Sequence, residues 1–266
     1  VKVPPYEPTV RPSRRAIGLC LLAAALAIGA ALLPPMPQPL EYHQFADRRA
    51  CGWLPNCLDS GSNLLFILAG TIGLLLLGHQ RERPLFAQRG EALPYWIFFV
   101  GIVSIGLGSG YYHLEPHNHG LMLDRLAMML AFMAWFAAII CERAGVRHGL
   151  RLLPLLLAAG IGSVLYWSWT EAQGAGDLRP YLLMQAWPMI CVVALVWLYP
   201  PRYTQGAAIV WVIALYALAL AFDRNDHAVF DATGGTISGH TIKHVLSAVA
   251  VMVVVMYLAR RRMLTG

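Results

Sequence analysis

The last apolar stretch of the chain opens Ser238-Gly-His-Thr-Ile-Lys-His-Val-Leu-Ser and runs on to Tyr257, which sets His240 and His244 four residues apart. On a helix, residues i and i+4 share a face, one turn apart. Two imidazoles on one side of an otherwise Val, Met, Ala and Leu segment are costly in a membrane unless something occupies them. An i,i+4 histidine pair is also a two-ligand platform for a metal. Farther back, Ser109 and His113 repeat the spacing, and Asp124 follows eleven residues after His113. Three neutral histidines give zinc three ligands and leave a fourth position for water. Zinc lowers the pKa of that water to about 7, making a hydroxide nucleophile available. Asp124 is placed to accept the water's proton and return it to a leaving amine. Ser109 could hydrogen-bond the carbonyl oxygen or orient Asp124. This is the chemistry of an amide or ester hydrolase.

The elements that must position these groups are membrane helices. The chain of 266 residues is 58% hydrophobic and only 13% charged, against about 25% charge in a soluble protein. The apolar residues fall in continuous blocks of roughly 20, the length that spans the hydrocarbon core, which excludes the alternating pattern of a β-barrel. The fold class is therefore all-α, a polytopic transmembrane helical bundle. Eight segments are read, at about Ala16–Leu33, Asp59–Gly78, Tyr95–Leu114, Leu121–Cys141, Leu152–Thr170, Tyr181–Tyr199 (kinked at Pro188), Ala207–Phe222 and Ser238–Ala259. The first has a basic flank and an apolar core like a signal peptide, but it exits through Pro34-Pro35-Met36-Pro37, so it reads as a retained helix. The stretch Asp223–Ile237 reads as a polar loop.

The net charge of +6 does not point to nucleic acid, because the basic residues sit at segment ends with no interleaved aromatic run. Most of them fall at the N-terminus (Lys2, Arg11, Arg14, Arg15), in the 79–94 loop (Arg81, Arg83, Arg89), in the 142–151 loop, at Arg202 and at Arg260–Arg262. The positive-inside rule puts both termini in the cytosol. Ser62 and Asn63, Ser109 and His113, Asp124, and the His240–His244 pair then all lie at the outer end of their helices, although topology was read from arginines and the site from other residue types. Cys51 and Cys57 share one polar loop on that oxidising side, where they could pair.

Ser109-x-x-x-His113, then Asp124, then His240-x-x-x-His244 on the last helix resembles the alkaline ceramidase family, part of a membrane hydrolase superfamily that includes the adiponectin receptors. Tyr42-His43-x-Phe45-Ala46-Asp47-Arg48 and the Ser62-Asn63 pair are similar to the bacterial ceramidase-like branch. The resemblance covers Tyr42 to the C-terminus. It implies a seven-helix core over residues 39–266, preceded at 1–38 by a cytosolic tail and one extra transmembrane helix. It implies an intramembrane Zn2+ on His113, His240 and His244, with Ser109 and Asp124 catalytic and Ser62, Asn63 and Asp47 as supporting candidates. The implied substrate is a ceramide-like membrane lipid, cleaved to a fatty acid and a sphingoid-type base in a bacterial inner membrane, with the site toward the periplasm. No nucleic acid and no obligate protein partner is expected. The acidic stretch that carries Ca2+ in animal ceramidases is not evident; Asp47, Asn56 and Asp59 are weak substitutes. The Asp-x-x-Pro pattern expected after the catalytic aspartate reads Asp124-Arg125-Leu126-Ala127 here.

Taken singly, each residue has a plainer reading. A lone membrane histidine is more often an interhelical hydrogen-bonder. Ser109 between Gly108 and Gly110 suits small-residue packing. Asp124 could pair with Arg125 near a helix start. Lys243 on the last helix is accounted for by snorkelling, and His43 and His227 read as loop residues. Two other functions stay open: a non-catalytic zinc-containing receptor of the same fold, and a haem protein with axial histidines. An i,i+4 pair cannot ligate both faces of one haem.

Overall fold

The computed structural model describes residues 14–79 and 85–264; Lys2, Arg11, Arg81 and Arg83, used in the topology count, lie outside the described residues. The regular elements there are helical apart from two isolated bridges, Cys51 with Leu54 and Tyr203 with Met263. In chain order they are α1 (Arg14–Leu32), α2 (Cys57–Ser62), α3 (Leu64–Gly78), α4 (Ala92–Leu114), α5 (Asn118–Arg143), α6 (Val146–Ala172), α7 (Arg179–Leu198), α8 (Ala207–Arg224), α9 (Asp226–Ala232) and α10 (Gly239–Arg260). Among the described residues, eight helical stretches are long and apolar enough to cross a membrane, α2 and α3 counting as one.

Helix α5 is the axis of the bundle. Small residues such as Ala131, Ala134, Ala137 and Ala138 alternate with Met129, Met133 and Ile139, all fully buried. That mixture lets α4, α6 and α7 pack around it. Small residues permit close approach where dispersion, rather than water exclusion, drives helix association. α10 packs on α3 and α8, closing a ring, while α7 and α8 touch only slightly. α1 lies along α7 with no buried residue of its own. The Arg179 guanidinium ties its end to α7 through the carbonyls of Ala31 and Leu33. Leu64, Leu68, Leu75, Leu155, Trp197 and Trp211 stand exposed on the outer faces. Such a surface would associate in water, and it is what a chain solvated by hydrocarbon presents. The protein is a polytopic helical membrane bundle.

Two elements depart from the sequence reading. The second span is broken at Asn63, whose Nδ2 donates to the carbonyls of Asp59 (2.8 Å) and Ser60 (3.4 Å) and so competes with the helical ladder. The stretch read as the polar loop Asp223–Ile237 holds α9, and Asp223 itself belongs to the last turn of α8. The carboxylate of Asp226 accepts from the backbone N–H of Ala46 and of His240, each at 2.8 Å, which draws this region against the start of α10.

Candidate metal centre and lipid cavity

His113 comes from the last turn of α4, and His240 and His244 from the first two turns of α10. Each is at most 4% exposed, and one nitrogen from each lies within 4.8 Å of the other two. The rings meet edge to face, with centroids 4.7 to 5.1 Å apart. Phe45 covers His113 and His240 at 4.6 and 4.5 Å, and Phe66 lies against His244 at 5.7 Å.

Local chemistry holds these side chains in place. Gly239 precedes His240 because a Cβ there would sit 2.2 Å from the Phe222 carbonyl oxygen. That close approach brings the end of α8 against α10, so His240 Nδ1 and Asp223 Oδ1 are 2.7 Å apart. Gly108 plays the same part for α4 and α5, since a Cβ would meet the Leu123 carbonyl at 3.1 Å; Ser109 and Asp124 line one cavity. Cys51 and Cys57 are disulfide-bonded. Between them Asn56 adopts a left-handed conformation (φ 45°) that asparagine tolerates, and its Nδ2 donates to the His113 carbonyl at 2.8 Å.

The tautomers follow from the partners. Ser62 Oγ donates to the Asp59 carbonyl at 3.0 Å, so it accepts from His244 Nδ1–H at 2.7 Å. His240 Nδ1–H donates to Asp223. Both rings therefore keep an Nε2 lone pair, and His240 Nε2 faces His113 Nε2 at 3.1 Å. His113 Nδ1 is buried without a hydrogen-bond partner. Three imidazoles, two of them held by a carboxylate and a hydroxyl in the manner typical of metal-bound histidine, fit a zinc ion.

His244 brings the centre to the wall of a cavity of about 290 Å³. Its polar lining includes Ser109, Asp124, Arg125, Asp223, Lys243 and His244, with Tyr42. Phe98, Ile102, Phe132, Trp135, Val251 and Val254 line the rest. The cavity can thus hold apolar chains and present a polar bond to the histidines.

Of the residues singled out from sequence, the three histidines converge, Ser109 and Asp124 share their cavity, and Ser62 holds His244. Asn63 makes the helix break. Asp47 lies apart, ion-paired to Arg49 at 2.7 Å; Arg49 also reaches the Thr236 carbonyl at 2.8 Å. Asn56 and Asp59 serve His113 and the start of α10 (Thr241 Oγ1 to Asp59 Oδ1, 2.5 Å), so with Asp47 they share no common site. Arg125 does not pair with Asp124; its Nη2 donates to Gln38 Oε1 at 2.7 Å. Lys243 does not snorkel outward. Its Nζ is 3.1 Å from Asp223 and 3.2 Å from His240 Nε2. His43 and His227 are engaged: His43 Nδ1 meets the Tyr112 hydroxyl at 2.8 Å and Nε2 meets Asn118 at 3.0 Å, and His227 Nε2 meets the Gln44 carbonyl at 3.0 Å. Burial pushes the His43 imidazole pKa down. Asp223 is not among the site residues read from the sequence, and Phe45 appears there only within the Tyr42–Arg48 motif; the sequence signal for Asp223 is an acid at the end of an apolar block.

The family model described as Ceramidase matches residues 55–265. No curated protein and no solved structure matches the chain. The family match takes in every helix that lines the cavity, and the chain belongs to the ceramidase family.

Proposed function

We propose that this protein is a zinc-dependent intramembrane hydrolase that cleaves the amide of a ceramide-like lipid, giving a fatty acid and a sphingoid-type base. Family membership supports ceramide amide hydrolysis in general. The observation that carries the finer reading is the buried histidine triad, with two tautomers fixed, on the wall of a largely apolar cavity that also holds Ser109 and Asp124. Zinc on the triad would supply Lewis acidity and lower the pKa of a water to about 7.

The chain's own residues do the rest. Asp223 and Ser62 hold the His240 and His244 rings so that their Nε2 atoms face inward. Asp124 takes the proton of the attacking water and delivers it to the amine as the C–N bond breaks. Ser109 hydrogen-bonds the scissile carbonyl. Phe45 and Phe66 keep water from the far side of the rings. The apolar wall holds the chains, so the substrate is a membrane lipid. The arginine distribution favours cytosolic termini and a site toward the outer leaflet. Residues 39–266 form the hydrolase core, and 1–38 add one helix beside it.

The test is hydrolysis of a dodecanoyl ceramide by the purified protein. Asp124→Asn is expected to keep zinc and lose about 10²- to 10⁴-fold in kcat. Undiminished turnover in that variant contradicts the assigned base. A zinc-loaded wild type that turns over no lipid amide favours the receptor reading instead.

A further inference from the structure

Arg125 follows the aspartate in sequence and is only 4% exposed. Its guanidinium lies over the rings of Trp167 (4.2 Å), Tyr181 (4.6 Å) and Tyr42 (5.5 Å). Nη2 bonds the neutral amide of Gln38, while Nε and Nη1 are buried with no hydrogen-bond partner. Among the described residues no carboxylate forms an ion pair with it. A guanidinium stays charged in any protein environment, and a buried charge is costly unless paired. The aromatic faces offset part of that cost. They accept no N–H bond in the plane of the fork.

The cavity that Arg125 lines has a surplus of positive charge. Its walls carry Arg125, Arg224 and Lys243 against Asp124 and Asp223. Asp223 is already shared by His240 and Lys243. Arg125 lines the cavity together with Tyr42, Asp124 and Tyr181. A lipid held in the cavity would lie against the Arg125 side chain.

We propose that the lipid this cavity takes carries an anionic group (phosphate, sulfonate or carboxylate) on its head, and that Arg125 receives it. The identity of the lipid as an amide rests on the function proposed above. Arg125 is then a specificity-determining residue: a planar fork matches a tetrahedral or planar oxyanion, and Gln38 and the three rings hold that fork in register. Neutral ceramide would satisfy the metal end of the site and leave the guanidinium unanswered.

The experiment is equilibrium binding by the full-length protein in neutral detergent, read as displacement of a fluorescent ceramide. The competitors are dodecanoyl ceramide, the same ceramide phosphorylated on its primary hydroxyl, and dodecanoate. The wild type is expected to bind the phosphorylated lipid at least about tenfold more tightly than the neutral one, the size of one charge-assisted hydrogen bond. In Arg125→Gln the ratio should fall to within about threefold. Arg125→Lys keeps the charge without the fork and should give an intermediate ratio; with the wild-type ratio it decides the matter if Arg125→Gln does not fold. Equal wild-type affinities overturn the proposal, as does a ratio unchanged in both variants. Arg125-dependent binding confined to dodecanoate would assign the residue to the released acid and also overturn it. Because binding needs no turnover, the two ideas separate. A ratio intact without hydrolysis counts against the amidase alone, and hydrolysis with a ratio near one counts against the anionic head alone.

Discussion

Two buried polar clusters sit at opposite ends of the bundle. At one end Glu142, 1% exposed, accepts from the hydroxyls of Tyr95 and Tyr257, each at 2.7 Å, and from Arg261. Arg261 also donates to the Leu85 carbonyl at 3.2 Å and lies over Tyr203 at 4.0 Å. The Tyr203 hydroxyl passes on to Glu91 at 2.6 Å. Among the described residues of this cluster, Arg261 Nε alone lacks a partner. At the histidine end the unpartnered buried atoms among the described residues include Asp59 Oδ2, Asn63 Oδ1, His113 Nδ1, Trp167 Nε1, and Nε and Nη1 of Arg125. The histidine end borders the cavity lined by Ser109, Asp124 and His244. A polar cluster closed on itself fixes structure; one left open beside a cavity has capacity for a ligand. The Glu142 end ties the C-terminal residues to α4, α5 and α10, and it holds the helices whose other ends carry His113, Asp124 and His240.

Breaking the closed end should cost stability and spare the chemistry. Arg261→Met leaves Glu142 buried with two hydroxyl donors and no counter-ion, and about 3 kcal/mol of stability should be lost. Thermal melting checks the loss, and the protein that remains folded should bind zinc like the wild type. A variant that kept its stability and lost zinc would reverse the assignment of the two ends. Asp223→Asn should do the opposite. It removes the charge behind His240 and should weaken zinc about 10- to 100-fold, read by competition with a chromogenic chelator, with little change in melting. Unaltered zinc affinity would show that Asp223 serves only Lys243.

The smallest effect belongs to two Arg–Asp pairs whose carboxylates are buried and whose arginines reach outward. Hydrogen bonds from Arg49 and Arg179 hold the carboxyls of Asp47 and Asp177 below the usual carboxylate range. Their contribution is present above about pH 4 and is lost as pH falls through the lowered folded-state values. Each pair is worth about 1 kcal/mol at most. Melting temperature should drop a few degrees between about pH 5 and pH 3, and less so in Asp177→Asn. An equal drop in that variant removes Asp177 from the account.

The two ends also differ in how much of them the sequence shows. The i,i+4 pairs, the apolar blocks and the order of Ser109, His113, Asp124, His240 and His244 are local patterns, so the helices and the converging histidines could be read directly. Asp223 could not. It reaches His240 only because Gly239 lets Phe222 come close, a contact between helix ends that no periodicity encodes. Lys243 reads as an interfacial lysine in the sequence for the same reason: its partner is on another helix. The box around Arg125 draws on Gln38, Tyr42, Trp167 and Tyr181, residues up to 143 positions apart. The helix α9 was hidden because its seven residues are too short and too polar for a membrane pattern.

Metal content of the detergent-purified protein, wild type beside His240→Ala, tests the central claim most directly. About one zinc per chain in the wild type, lost in the variant while it remains folded, is the predicted result, since removing one of three protein ligands leaves too few to hold the ion. A wild type purified without chelators that contains no zinc and takes up none, or a His240→Ala protein that retains it in full, would contradict the account.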